Sequence, residues 1–184
     1  MHDPEIRNEK EGKKKQMEWM ERPDPEGIRI AELKKEELRW VAELEEQIFS
    51  DNWTLSGLAE MAGQDRVISL GLWLTKEREK QPEKKLVGYG IVCTVLDEGD
   101  LVRLAVDKRH RQKGRGKLLL AALEKACRDK GVRALYLEVR QSNAPARSFY
   151  HRAGFQEEGI RRGFYDHPKE DGICMKKILG GKEC

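Results

Sequence analysis

The hydrophobic pattern of the second half of the chain changes period several times, and each change predicts a new element. Apolar residues recur at helical spacing over 117–131, where Gly131 predicts the end of a helix. A shorter helix is predicted over 142–154, with Ser142 or Asn143 as its cap. Strands are predicted over 101–107, 133–140, 154–162 and 172–179. This alternation of strand and helix indicates a βαβ unit.

The first half predicts the same mixture of elements. Apolar positions at Leu38, Val41, Leu44 and Ile48 predict a helix over 36–49, and a second helix over 53–63 ends at Gly63. The predicted strands are 27–33, 67–74 and 86–96, with an exposed charged turn over 75–85 and another turn over 97–100. The chain is therefore predicted to be of the α/β (α+β) class.

Residues 1–26 are polar and lysine-bearing, and Pro23 and Pro25 interrupt them, so we predict a disordered or loosely ordered extension before a single domain over 27–184. No apolar run approaches the roughly 20 residues that a membrane-spanning helix needs. The start of the chain has no hydrophobic segment of the secretory kind. We therefore expect a cytoplasmic protein that does not contact the membrane.

The four cysteines are far apart and form no C-x-x-C pair, which argues against a zinc site or a redox dithiol. They are expected to be small buried hydrophobes, apart from Cys184 at the C-terminus. His110, His151 and His167 lack the spacing of metal ligands and are expected on the surface. No metal is predicted.

The chain carries 36 Lys and Arg against 33 Asp and Glu, a formal net charge of +3 that by itself indicates no nucleic-acid partner. Six of the positive charges lie between Lys108 and Lys117, with Gly114 and Gly116 among them at the start of a predicted helix. Unpaired N–H groups and the helix dipole there suit a phosphate or pyrophosphate. On charge and glycine content alone, a solvated basic turn is equally compatible. The segment lacks the third glycine of a dinucleotide-binding loop and the GK[S/T] of a P-loop.

Residues 111–116, RQKGRG, fit the R/Q-x-x-G-x-G/A signature of the GNAT N-acetyltransferase family. The LAV strand, the LEVR strand, the SNAPA turn and the FYHRAGF helix follow in the order typical of that family, and LEVRQSNAPARSFYHRAGF with IRRGFY resembles its RimI-like branch. The resemblance extends over about 96–179. It implies a mixed, mostly antiparallel sheet with one splayed parallel pair of strands and helices on both faces.

The resemblance also implies acetyl-CoA as co-substrate. Its pantetheine arm would lie along the backbone of Leu104, Ala105 and Val106, and its pyrophosphate in the loop of Arg111, Gln112, Lys113, Gly114, Arg115, Gly116 and Lys117. Asn143 matches a residue that hydrogen-bonds the cofactor, a role compatible with capping the helix.

Two residues are candidates for proton transfer. Strand alternation puts Glu138 on the face opposite Leu137 and Val139, where a solvent-facing acid and a cleft residue are both possible. The resemblance favours a general base, and an α-amine of pKa about 8 needs less help than a lysine near 10.4. Tyr150, in the helix after Asn143, is implied to be the general acid that protonates the leaving thiolate.

Trp53, Phe164 and Tyr165 match positions that line the acceptor cleft in RimI-like enzymes. Two departures affect this pocket. The family's Phe-Pro-Trp stretch is Phe49-Ser-Asp-Asn-Trp53 here, and the loop RGFYDHPKED is slightly shorter than its counterpart.

The sequence is compatible with three functions. The first is acetylation of a protein N-terminal α-amine, of the ribosomal-protein-alanine type. The second is acetylation of a polyamine, a lysine side chain or another small amine. The third is a non-catalytic CoA- or RNA-binding module, against which the pair Glu138 and Tyr150 argues. We expect no nucleic-acid partner, and either a monomer or a homodimer.

Overall fold

A computed structural model describes residues 27–76 and 83–180 and shows one seven-stranded sheet. The strands are β1 Ile28–Glu32, β2 Val67–Lys76, β3 Glu83–Val95, β4 Glu98–Val106, β5 Ala134–Arg140, β6 Gln156–Asp166 and β7 Lys169–Ile178. Their order in the sheet is β1-β2-β3-β4-β5-β7-β6, and all neighbours are antiparallel except β4 and β5, which are parallel. The predicted class, α/β (α+β) with a mostly antiparallel sheet and one parallel pair, is confirmed.

Helices pack on both faces of this sheet, as predicted. They are α1 Leu38–Ile48, α2 Leu55–Met61, α3 Arg115–Asp129 and α4 Ala144–Arg152, and short 3-10 turns occupy Lys35–Glu37 and Lys108–His110. One core cluster includes Leu119 and Leu123 of α3 with Leu135 of β5, and α4 packs against it. The other, on the opposite face, includes Val41 of α1 and Leu58 of α2.

The parallel pair is short, and this shapes the middle of the sheet. β4 pairs with β5 only over Glu98 to Asp100, opposite Ala134 to Tyr136. Both strands then continue for several residues, β4 against β3 and β5 against β7, without pairing with each other. The backbone edges of the two strands that face each other are therefore available to a ligand along this V-shaped cleft.

Several boundaries differ from the predictions. β6 extends to Asp166 and β7 begins at Lys169, so that most of the predicted loop over 162–171 is strand. The turn predicted over 97–100 is confined to Leu96 and Asp97, and residues 98–100 already belong to β4. Helix α3 begins at Arg115 rather than at 117, after Gly114 in the left-handed conformation. Strands β2 and β3 extend to Lys76 and from Glu83, so that the rest of the charged turn, like the N-terminal extension and Cys184, lies outside the described residues.

Candidate active site

Glu138 lies on β5 beside the cleft, and its side chain is 23 % exposed. Burial alternates along this strand as predicted, with Leu137 and Val139 buried and Glu138 half-buried on the other face. Arg161 of β6 donates a hydrogen bond from Nη1 to Glu138 Oε1 at 2.7 Å. This carboxylate is accessible beside the cleft and is held by one guanidinium, and its role as general base stays a prediction.

The candidate acceptor residues Phe164 and Tyr165 form one wall of this region. Their rings meet edge to face with centroids 4.9 Å apart, and the Tyr165 hydroxyl donates to the main-chain oxygen of Glu138 at 3.1 Å. Arg140 lies 4.1 Å over the Tyr165 ring and donates to the carbonyl oxygens of His167 and Pro168 at 3.1 Å each. These contacts fix the β6–β7 loop against β5.

Tyr150 lies on α4, where its ring packs edge to face against Phe149 and Phe155. Burial raises its pKa above the ordinary value, and the neighbouring Tyr165 raises it further. Burial likewise raises the pKa of Tyr165 to about 12. Tyr150 is therefore protonated at neutral pH, and burial also makes it a weaker acid than an ordinary tyrosine. The role of Tyr150 as proton donor stays a prediction.

The loop before α3 has the backbone of an anion site. Gln112 and Gly114 both adopt positive φ, +60° and +73°, and Gly114 caps the helix without a side-chain acceptor. A Cβ at Gly114 would meet nothing within 4 Å, and one at Gly116 would contact Phe149 at 3.6 Å. The N-terminus of this 15-residue helix is thus open, and the approach of a phosphate to its backbone is unobstructed.

Half of the basic side chains in this loop bond to the protein itself. Arg109 pairs with Asp107 at 2.9 Å, and Arg111 donates from Nε to the Val106 carbonyl at 2.8 Å. Arg115 is buried and contacts His110 Nδ1. Lys108, Lys113 and Lys117 are exposed. The three guanidinium groups therefore help to hold the loop in shape, and the binding of a phosphate by the backbone, the lysines and the arginines of this loop stays a prediction.

The remaining candidate cofactor residues lie at the edges of the cleft. Ala105 and Val106 are buried in β4, and Leu104 packs partly buried against the core beneath α3. Asn143 is exposed, and its Oδ1 accepts from the Ala146 N–H at 3.2 Å, so that it caps α4 as predicted. Their role in binding the cofactor stays a prediction.

On the acceptor side, sequence reasoning missed Glu45, a fully buried carboxylate on α1. It accepts from the Trp53 N–H at 2.7 Å and from the Tyr89 hydroxyl, and its Oε1 lies 3.3 Å from Arg103 Nε. Desolvation raises the pKa of Glu45, and the Trp53 hydrogen bond and Arg103 oppose this shift. The signal for it was an acid within the apolar stripe of the predicted helix, between Val41 and Ile48.

Arg103 extends this network to the loop between α1 and α2. Its guanidinium lies 4.5 Å from the Phe49 ring and 4.7 Å from the Trp53 ring, and it donates to the Asp51 carbonyl at 2.7 Å. In the segment Phe49-Ser-Asp-Asn-Trp53, which replaces the Phe-Pro-Trp of RimI-like enzymes, both aromatic rings contact the guanidinium of Arg103. Trp53 is half-buried, and the loop that carries it is fixed by Glu45 and Arg103.

We expect Glu45→Gln to lower the free energy of unfolding by about 2 kcal/mol. The two carboxylate oxygens of Glu45 each accept a hydrogen bond, whereas glutamine has only one acceptor oxygen, so one buried donor loses its partner. Urea denaturation measures this loss. Glu46→Gln, an exposed neighbour on the same helix, is the matched control and should leave stability unchanged. Equal stability of the two variants would show that the Glu45 network does not hold the loop.

The sequence predicts neither a metal site nor a membrane-spanning helix. Among residues 27–76 and 83–180, no three His, Cys, Asp or Glu side chains lie together as metal ligands would. No helix in the same ranges is long and apolar enough to cross a membrane.

His151 and His167 are exposed as expected, but His110 is half-buried against Arg115, and burial lowers its pKa. Cys127 is buried as expected, whereas Cys93 and Cys174 are only half-buried.

Comparison with known proteins agrees with this geometry. The family model described as "Acetyltransferase (GNAT) family" matches residues 8–155. The chain belongs to the GNAT acetyltransferase family. It is therefore an acyltransferase of the N-acetyltransferase class, and the sequence prediction of the family is confirmed.

Relatives within the GNAT family are similar over most of the chain. The [ribosomal protein bS18]-alanine N-acetyltransferase of Haemophilus influenzae is 32% identical over 153 residues, which are 82% of this chain and 98% of that protein. The crystal structure of the corresponding Escherichia coli enzyme superposes with a TM-score of 0.72 at 30% identity, covering 85% of this chain and 98% of that one. Arabidopsis thaliana NAA60, solved in complex with acetyl-CoA, gives a TM-score of 0.73 at 18% identity, covering 82% and 99% of the two chains, and supports the GNAT fold alone.

Proposed function

We propose that this GNAT enzyme transfers the acetyl group of acetyl-CoA to the N-terminal α-amine of a protein, in the manner of the ribosomal-protein-alanine acetyltransferases it resembles. The observation that carries the proposal is the cleft between β4 and β5, with the carboxylate of Glu138 beside it and the Tyr165 wall next to that carboxylate. The similarity to the Haemophilus influenzae relative over nearly its whole length supports this choice of acceptor.

The residues present fit acetyl-CoA. The edge of β4 at Leu104–Val106 does not pair with β5 and suits the amides of a pantetheine arm, except at the Val106 carbonyl, which already accepts from Arg111. The open α3 N-terminus at Gly114 suits the pyrophosphate. Lys113 and Lys117 add positive charge on the exposed side of that loop. Bound there, acetyl-CoA supplies an acyl carbon activated as a thioester.

Glu138 and Tyr150 divide the proton transfers in this proposal. Glu138 Oε1 or Oε2 accepts a proton from the acceptor nitrogen, directly or through one water, while Arg161 keeps the carboxylate in position. The Tyr150 hydroxyl, protonated at neutral pH, donates its proton towards the departing sulfur. Tyr165, Phe164 and Trp53 orient the first residues of the acceptor peptide in this proposal.

A panel of acceptors tests the proposal by thiol release from acetyl-CoA. We expect release with an alanine-initiated peptide and none with the same peptide blocked at its N-terminus and carrying an internal lysine. Release only with spermidine or another small amine would show that the acceptor is a small amine rather than a protein α-amine. Salt-sensitive RNA retention without any thiol release would favour a binding module instead. In cells, loss of the protein should remove N-terminal acetylation from its target.

A further inference from the structure

Four neighbouring strands place one row of side chains across the end of the sheet where the cleft is closed. The strands are β3, β4, β5 and β7, and the residues that pair in register are Val95, Glu98, Ala134 and Ile178. Paired residues of neighbouring strands point to the same face of a sheet, and side chains two residues apart along a strand share a face. Glu138, four residues after Ala134 on β5, therefore points to the same face as this row.

The row is largely apolar and open to solvent. Val95 is 64 % exposed and Ile178 is 66 % exposed, and Leu96, which follows Val95 at the tip of the β3–β4 turn, is 93 % exposed. Ala134 is buried beside Ile178 but belongs to neither core cluster. Of the seven large apolar side chains that are exposed among residues 27–76 and 83–180, three thus lie together. Single exposed apolar residues are ordinary, whereas a cluster indicates an interaction site. We call Val95, Leu96, Ala134 and Ile178 the end patch.

Leu96 has a backbone conformation that leucine rarely adopts. Its φ is +55°, in the left-handed region, where glycine or asparagine is the usual residue of a short hairpin turn. The Cβ of any other residue crowds the backbone in this conformation. A leucine here is therefore unfavourable both for the backbone and for hydration. Because strained residues cluster at functional sites, the turn is a second and independent indication that the end patch contacts a partner.

The half of the sheet beyond β4 is open on the face of the end patch. The core cluster on this face lies under α1 and α2 and draws its strand residues from β1 to β4, with none from β5, β6 or β7 in the described part of the chain. Along β5 the side chains of Tyr136 and Glu138 are half-buried, and Ile178 on β7 is exposed. An extended chain can therefore lie along β5 between the candidate base and the end patch.

The end patch lies a few residues of extended chain away from the candidate base. Ala134 precedes Glu138 by four residues, which is about 13 Å at a rise of about 3.3 Å per residue. The side chains between them are polar: the Tyr136 hydroxyl donates to Glu98 at 3.0 Å, and Lys176 Nζ lies 5.1 Å from the centre of the Tyr136 ring. An extended acceptor with its first residue at Glu138 crosses this polar row and reaches the end patch after about four residues.

We propose that the end patch binds the acceptor chain about four to five residues after its acetylated N-terminus, and that it favours apolar side chains there. The acceptor is the occupant because the patch and the candidate base lie on one face of the same strand, β5, with an open path between them. The site then distinguishes acceptors by a segment that takes no part in the chemistry. This inference rests on the proposed function.

Steady-state kinetics with three acceptor peptides test the inference. One is an alanine-initiated tripeptide, and the other two extend it to ten residues with either leucine or serine at positions 5 and 6. We expect the leucine peptide to have a KM about tenfold lower than the serine peptide at equal kcat, because only leucine buries apolar surface on the patch. Ile178→Ser should raise the KM of the leucine peptide about fivefold and leave the KM of the other two unchanged.

Leu96→Asn separates binding from folding. Asparagine tolerates positive φ better than leucine, so the melting temperature of this variant should equal or exceed that of the unaltered enzyme. The KM of the leucine peptide should nevertheless rise, as in Ile178→Ser. A variant that is at least as stable and still loses affinity for this one peptide cannot owe the loss to unfolding.

Ile160→Ser is the matched control. Ile160 is 59 % exposed on β6, but it pairs with the core residue Ile173 and so points to the opposite face. This substitution should change none of the three KM values. Equal KM of the leucine and serine peptides with the unaltered enzyme, or equal effects of Ile178→Ser and Ile160→Ser, overturns the inference, while thiol release still supports the proposed function.

A second copy of the chain is the alternative occupant of the end patch. Sedimentation that shows a dimer for the unaltered enzyme and a monomer for Ile178→Ser, with unchanged KM for every peptide, would assign the patch to that dimer and overturn the inference. Failure of the unaltered enzyme to release thiol with any α-amine peptide overturns the proposed function and the inference with it.

Discussion

Glu138→Gln should lower the turnover number by about 10²-fold and leave the affinity for acetyl-CoA unchanged, because the amide cannot take a proton from the acceptor nitrogen. The substitution is close to isosteric, and the glutamine oxygen can still accept the Arg161 hydrogen bond that the carboxylate accepts at 2.7 Å. The fold and the β6 contact are therefore expected to survive. Steady-state kinetics with an alanine-initiated peptide, together with acetyl-CoA titration, separates the two effects.

Glu157→Gln is a matched control for this prediction. Glu157 is an acid on β6 that accepts from Arg147 at 2.8 Å, so its substitution alters a carboxylate–arginine pair whose N–O distance is close to that of Glu138 and Arg161. We expect its turnover to equal that of the unaltered enzyme. Unaltered turnover in Glu138→Gln would remove Glu138 as the base, and equal losses in both variants would attribute the effect to the ion pairs.

The elements that sequence reasoning identified are those with a strong local signal. Alternation along β5 placed Glu138 opposite Leu137 and Val139 because each strand residue reverses the direction of its side chain. The glycines before α3 marked an open helix N-terminus because the positive φ of Gly114 favours a residue without a Cβ. In both cases a few neighbouring residues determine the geometry.

Asp100 and Glu45 escaped prediction because distant residues determine their positions. Asp97 to Asp100 read DEGD, a composition typical of turns, yet pairing with Cys93 on one side and Tyr136 on the other draws Asp100 into β4. The position of Glu45 in the apolar stripe of α1 indicates burial, but its partners Arg103, Tyr89 and the Trp53 N–H come from other parts of the chain. No local pattern contains those partners.

The charge of the basic loop shows a different limit of sequence reasoning. Six positive residues in 108–117 are compatible with a phosphate site and equally with a solvated basic turn. Arg109, Arg111 and Arg115 instead bond to Asp107, the Val106 carbonyl and His110. A count of charges does not distinguish those that bind a ligand from those that shape the loop, so the phosphate hypothesis depends mainly on the backbone around Gly114.

Gly114→Asp should therefore raise the Kd for acetyl-CoA by at least ~10²-fold while leaving the protein folded. A Cβ meets nothing within 4 Å there, and aspartate tolerates the left-handed conformation better than most residues. An acid at a helix cap also favours the helix itself, through hydrogen bonding and the dipole. The same carboxylate repels a pyrophosphate, since like unit charges about 4 Å apart near a surface cost roughly 4 kcal/mol before screening by salt.

Gly114→Asn isolates this repulsion, because asparagine has the shape of aspartate and the same tolerance for positive φ but carries no charge. We expect the asparagine variant to bind acetyl-CoA more tightly than the aspartate variant, and the gap between them to narrow as ionic strength rises and shortens the Debye length. Fluorescence or calorimetric titration at low and high salt measures the gap. Equal affinities for all three proteins would show that the pyrophosphate lies elsewhere, whereas equal weakening in both variants would assign the role of Gly114 to shape rather than to charge.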